Sequence, residues 1–315
     1  MTASGHHPPH APATKAPTDA EPPTDVPKLP VKRPTITGPV EKMMRVRLLR
    51  DRPDGLLGVR TGVMDTGHWV LDMDGRPTGA AAAVILDNTL SSALRTSVDG
   101  LNWVVTTELH LNFMRPLPAD GTVLEAWTRA LVGDEAGGMA TGTLQGPDGT
   151  EYVQGTGWFQ RAEGNTSEGL DRFEALAKQP LGEEEGASLG ALLAAGPATP
   201  ALPGGRPDFA QSFVPGLEFA RKDLLRNSEG ALHGGALMMM AALTAQQAMP
   251  DRTGYDLQSL RATYLRPAFG EIATRTHVRY AGSSLRVVDV ELFSAEPGST
   301  GKAFVQATAI FRQAR

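Results

Sequence analysis

Two short constellations in this chain carry residue types suited to attack on an ester or thioester carbonyl. One is Asn227-Ser-Glu-Gly230-Ala-Leu-His233-Gly234-Gly235, which runs directly into an apolar stretch, residues 236–243. Such a stretch reads as a helix, and the first N–H groups and dipole end of a helix favour negative charge. Glycines at that point let a ligand approach the backbone closely. An oxyanion formed from a carbonyl would be held there. Taken by itself, the motif is explained equally well by a tight loop–helix junction with a packing histidine. The other constellation is Asp87, set in Ala80-Ala-Ala-Ala-Val-Ile-Leu-Asp87-Asn88-Thr89. Burying an unpaired carboxylate is costly, so Asp87 is either on an exposed face with Asn88, Thr89, Ser91 and Ser92, or retained for chemistry.

The elements that must position these residues occur twice. Val153-Gln154-Gly155-Thr156-Gly157-Trp158-Phe159 matches Val305-Gln306-Ala307-Thr308-Ala309-Ile310-Phe311, 152 positions later. Asn112-Phe113-Met114-Arg115-Pro116 matches Thr263-Tyr264-Leu265-Arg266-Pro267, 151 positions later. Gly75, Thr78 and Gly79 match Gly230, His233 and Gly234, 155 positions later. Three matches in one order at a nearly constant offset indicate a tandem repeat. Each copy begins with an apolar helix, expected over 80–94 and 236–249. Four strand-like runs follow: 103–113, 122–132, 139–144 and 152–160 in the first copy, and 257–265, 272–280, 285–294 and 303–312 in the second. Turn residues such as Gly146-Pro147-Asp148-Gly149 and Pro297-Gly298 separate them, as in an antiparallel meander. The second helix is apolar almost all round, so it must be covered on most sides. The fold class expected is therefore α+β: two units, each a central helix wrapped by a curved antiparallel sheet. Boundaries are expected at 1–38 for a Pro/Thr-rich disordered tail, 39–161 for the first unit, 162–208 for a linker with short helices, and 209–315 for the second unit.

Comparison of the copies exposes a complementary loss. Asp87 lies nine residues beyond Thr78, and the position nine beyond His233 is Ala242. The second copy keeps His-Gly-Gly without the acid, and the first keeps the acid without the histidine. Nine residues along a helix span about 13 Å and two and a half turns, so within one copy the two side chains would point apart. They can meet if the copies pack about a pseudo-twofold axis. One cleft would then hold Asp87 with His233 and Gly234. Its twin would hold Thr78, Gly79 and Ala242.

Composition narrows the functional classes. The chain has no cysteine, which removes thiolate nucleophiles, disulfides and Cys-ligated metals. A formal net charge of −5 argues against general binding to nucleic acid or an anionic membrane. The first thirty residues lack an apolar segment of the secretory type, and residues 236–243 are too few to span a bilayer. A cytoplasmic location is the expectation. His6, His7 and His10 are read as part of a polar tail rather than a metal tract.

These residues resemble the hot-dog thioesterases of the phenylacetate-pathway (PaaI-like) type, in a tandem, double hot-dog form. The resemblance rests on Asn-x-x-Gly-x-x-His-Gly-Gly, an Asp nine residues after the histidine, and an aromatic-x-Arg-Pro strand end. It covers roughly 56–161 and 209–315, and the whole motif is present only in the pair. It implies hydrolysis of acyl-CoA thioesters without a metal or other cofactor, at a site shared between the two units. Carried over residue by residue, Asp87 would act as general base or nucleophile, Thr106 would help hold the water, and Gly234 N–H would polarise the carbonyl. Asn227 would orient Asp87 or the water, and His233 would shape the loop. The hydroxyl position of Thr106 falls on Leu257 in the second copy, and Asp72 replaces Asn227 in the first, so both departures fall in the twin cleft. Arg266 and Arg286 are candidates for the CoA phosphates. Met238, Met239 and Met240 suit an adaptable apolar filling. The acyl group does not follow from the sequence, and neither does assembly into a homo-oligomer. A non-catalytic acyl-CoA binder and a hot-dog hydratase or dehydratase are the rival readings. The hydratase class calls for Asp and His five residues apart on one segment, a pairing neither Asp87 nor His233 has.

Overall fold

The computed structural model describes residues 38–48, 58–162, 171, 175, 178, 188–192, 213–219, 222–249, 251–296 and 302–314. Most of the expected tail and linker lies outside the described residues, as do His6, His7, His10 and Pro297-Gly298. Within the linker, a short helix spans Leu189–Leu192.

The N-terminal unit opens with a short helix, Pro39–Met43, followed by β1 (Val46–Leu48) and β2 (Val59–Asp65). Its central helix, Ala82–Ser97, follows a single tight turn at Gly79–Ala81. Four long strands complete it: β3 (Val104–Phe113), β4 (Val123–Asp134), β5 (Gly137–Gln145) and β6 (Glu151–Arg161). The C-terminal unit repeats the plan. It has β7 (Val214–Pro215), the central helix Gly234–Gln247, then β8 (Tyr255–Tyr264), β9 (Ile272–Ala281), β10 (Leu285–Ser294) and β11 (Ala303–Gln313). The eight long strands coincide closely with the runs read from the sequence. β1, β2, β7 and the Pro39–Met43 helix were not anticipated. They are short, or mix polar and glycine residues into the alternation, as in Val-Arg-Thr-Gly-Val-Met-Asp of β2.

Among the described residues, eleven strands form one sheet in the order β1-β2-β4-β5-β6-β3-β8-β11-β10-β9-β7. Apart from the extra edge strand β1, the order reads the same from either end once β3 is matched with β8. That is a pseudo-twofold axis through the β3–β8 seam. At the seam Leu109 pairs with Ala262 and Leu111 with Leu260, while His110 faces Arg261 on the axis itself. A bulge recurs at equivalent places: between Thr106 and Glu108 on β3, and opposite it between Leu257 and Ser259 on β8. The strands alternate as half-buried strands should. On β11, Val305, Ala307, Ala309 and Phe311 point inward.

Both central helices are sheathed by this sheet, and they touch each other near their N-termini. A Cβ on Gly235 would stand 2.5 Å from Ala83 O and 2.7 Å from Val84 Cα, so glycine is what permits this approach. Met238, Met239 and Met240 are each 1% exposed or less and fill the core. The second helix starts two residues earlier than its apolar pattern suggests. His233 caps it, its Nδ1 accepting the Gly235 N–H at 3.1 Å, which offsets the poor helix propensity of the two glycines.

Candidate active site

At the N-terminus of the C-terminal helix, the two units exchange polar groups. Asp87 reaches this point from the middle of the N-terminal helix and is buried, with 5% of its surface exposed. Its Oδ1 accepts the Thr106 hydroxyl of β3 at 2.7 Å, and its Oδ2 accepts the Gly235 N–H at 2.8 Å. The carboxylate therefore has two donors, one from each unit, and sits at the positive end of a helix dipole. His233 Nδ1 lies 3.6 Å from Asp87 Oδ2. Gly234 completes the cleft, since a Cβ there would stand 2.8 Å from Asp87 Oδ2 and 2.9 Å from Thr106 Oγ1.

The Gly234–Gly235 peptide is held on both sides. Its N–H serves Asp87, and its carbonyl accepts the Tyr264 hydroxyl at 2.8 Å. Burial of the hydroxyl, and then the nearby Asp87 carboxylate, hold the Tyr264 phenol well above its usual range, so it stays a donor. The preceding peptide carries the Gly234 N–H. As the first N–H of the helix, it has no acceptor within the helix.

Beyond His233 lie two residues that the sequence did not single out. Asn88 Oδ1 is 3.1 Å from His233 Nε2, and Asn88 Nδ2 donates to Glu41 Oε1 at 3.0 Å. Glu41 belongs to the Pro39–Met43 helix. Asn88 could have been suspected as the neighbour of Asp87. For Glu41 no motif exists, and for Tyr264 the aromatic position gave no hint of its hydroxyl.

Two expectations are revised. Asn227 does not hold Asp87: its Oδ1 accepts the Glu229 N–H at 2.9 Å, and its backbone closes the loop through Asn227 N to Ala231 O and Gly230 N to Asn227 O. Asp72 does the same in the first copy, accepting the N–H groups of Asp74 and Arg76 at 2.8 and 2.9 Å. A side-chain oxygen at this position shapes the hairpin that presents residue 78 or 233, and either Asn or Asp serves. Arg286 is engaged by Tyr255. Its guanidinium lies 4.5 Å from the Tyr255 ring centre and donates to the Tyr255 hydroxyl at 3.0 Å. Arg266 is exposed, two residues past Tyr264.

The twin position is built differently. A Cβ on Gly79 would strike the Phe113 ring at 2.3 Å, and Thr78 spends its hydroxyl on the Ala80 N–H. Ala242 and Leu257 stand where the acid and the hydroxyl would be. The loop above it is fastened to the C-terminal unit by Asp72 to Gln246, by Asp74 to Arg252, and by Arg76 to the Arg252 carbonyl and Asp256. Among the described residues, no group of three or more His, Asp or Glu side chains is placed to hold a metal ion, and no helix is long and apolar enough to cross a membrane.

Two central helices wrapped by one continuous sheet, with a helix mouth of one unit facing a mid-helix acid of the other, define a double hot-dog fold. By sequence, residues 225–312 match the model of the acyl-CoA thioesterase N-terminal domain family. Solved structures of similar fold include the tesB protein of Mycobacterium avium subspecies paratuberculosis and a 12:0-ACP thioesterase from Umbellularia californica. The first is 12% identical, with a TM-score of 0.53 over 89% of this chain and 100% of its own. The second is 13% identical, with a TM-score of 0.53 over 84% of this chain and 98% of its own. At such identities the likeness speaks for the fold. No curated protein matches by sequence.

Proposed function

We propose that this protein hydrolyses acyl-CoA thioesters to the free acid and CoA, at one composite site between its two units. The observation that carries this reading is the Asp87 carboxylate, held between the Thr106 hydroxyl and the start of the opposite helix. The thioester carbonyl enters beside Gly234, whose N–H polarises it and receives the developing oxyanion. Asp87 takes a proton from water as the water oxygen bonds to the carbonyl carbon. The tetrahedral intermediate then collapses, the C–S bond breaks, and the proton passes from Asp87 to the departing thiolate, which restores the carboxylate. Direct attack by Asp87, giving an anhydride that water then cleaves, uses the same groups. Single turnover in ¹⁸O-labelled water detects an anhydride cleaved at its Asp87 carbon, because the label then stays in Asp87 and the acid leaves with an enzyme oxygen, whereas the general-base route puts the label in the acid.

Arg266, exposed near Tyr264, is offered as a contact for the CoA phosphates. R266A is expected to raise KM and leave kcat in place. The test of the activity is a screen of short, long and aromatic acyl-CoAs with free-thiol detection. Release of CoA by the wild-type chain, lost in D87N, supports the reading. Tight binding of acyl-CoA with no release above background would instead make the chain a binder.

A further inference from the structure

Glu41 is a buried carboxylate that the hydrolytic scheme does not use. It is 7% exposed, and its Oε2 is buried without a hydrogen-bond partner. Burying a carboxylate with incomplete compensation is costly. An apolar residue would pack there without that cost, so the carboxylate invites a role of its own.

The role follows from what each group can donate or accept. A carboxylate oxygen facing an amide requires the amide nitrogen, so Asn88 turns Nδ2 toward Glu41 Oε1. That leaves Asn88 Oδ1, an acceptor, 3.1 Å from His233 Nε2, which must then carry the proton. At the other side of the ring, Nδ1 faces the Gly235 N–H at 3.1 Å. A backbone N–H can only donate, so Nδ1 must be unprotonated. The two ends of the ring call for the same tautomer by separate routes. With the opposite tautomer, an Nδ1–H would oppose the Gly235 N–H, and the start of the helix that Asp87 and the substrate share would shift.

We propose that Glu41 is a positioning residue: by orienting the Asn88 amide, it fixes His233 as the Nε2–H tautomer and keeps its Nδ1 lone pair as the cap of the catalytic helix. The short helix that opens the N-terminal unit thereby completes the site. This rests on the site proposed above, yet it is read out separately.

The experiment uses the full chain labelled with ¹⁵N-histidine. The His233 tautomer is read by two-bond ¹H–¹⁵N correlation NMR without substrate, and the signal is assigned by its loss in H233N. The wild-type ring is expected as Nε2–H. E41L and N88A should release it, giving a mixed or exchanging tautomer, while E41Q, whose carboxamide oxygen accepts the same bond, should retain it. In turnover, E41L should lower kcat by roughly tenfold to a hundredfold with KM little changed, the scale expected from a displaced helix mouth, and E41Q should restore most of it. An unchanged tautomer in both E41L and N88A, or a shifted tautomer with unchanged turnover, overturns the proposal. Should E41L fail to fold, N88A decides. A wild-type chain inactive on every thioester would sink the functional reading, while the spectrum would still decide the role of Glu41 in fixing the ring.

Discussion

Asp87, with 5% of its surface exposed, has donors from Thr106 and Gly235 in place of the lost water. Asn at this position can accept the Gly235 N–H through Oδ1 while its Nδ2 donates to a reoriented Thr106 hydroxyl, but it cannot take up a proton. D87N is therefore expected to fold normally by circular dichroism and to lose turnover by roughly 10²–10⁴-fold. Near-normal hydrolysis by that variant would remove Asp87 from the mechanism. At Gly234 the argument is steric. The Cβ of G234A would stand 2.8 Å from Asp87 Oδ2, so carboxylate and helix mouth must separate, and turnover should fall by about a hundredfold. At this scale the sequence was informative wherever the copies differ in a complementary way: Asp87 against Ala242, His233 against Thr78, Thr106 against Leu257. It misled at Asn227, because a loop-shaping side-chain oxygen looks the same on paper as a catalytic one. Glu41 was illegible because its partner Asn88 lies 47 residues away and it belongs to no repeated motif.

Among the elements, the N-terminus of Gly234–Gln247 is the most constrained, being capped by His233, gripped by Tyr264 and pressed against the N-terminal helix at Ala83. Y264F removes one hydrogen bond to the Gly234 carbonyl. The expected stability loss is about 0.5–1.5 kcal/mol by chemical denaturation, and kcat should fall more than KM rises, because the peptide that supports Asp87 loosens. G235A tests the helix contact. Its Cβ would meet backbone atoms at 2.5 and 2.7 Å, and overpacking of that kind costs about 1–3 kcal/mol. An unchanged midpoint in G235A would mean that the helices separate easily. The two central helices and eight long strands were legible from periodicity. The short edge strands were not, since three to seven residues with interleaved Arg, Thr and Gly carry too little pattern, and pairing with a neighbour rather than propensity makes them strands.

For the molecule as a whole, the near-palindromic sheet relates the two units by a pseudo-twofold axis at the β3–β8 seam, the symmetry that the repeat offset implies. What the sequence withheld is how the twin position is packed. Phe113 covers Gly79, and the Asp74–Arg252 and Arg76–Asp256 pairs fasten the loop above it. These pairs are partly solvated, so R252A should lower stability by roughly 0.2–1 kcal/mol and leave kcat and KM as they are. The central claim, one composite site per chain, is tested most directly by calorimetric titration with a non-hydrolysable acyl-CoA analogue. The expected stoichiometry is one analogue per chain, abolished by Gly234→Val and unaffected by Ala242→Phe. Two equivalent sites per chain, or one site that survives Gly234→Val and is lost in Ala242→Phe, would contradict it.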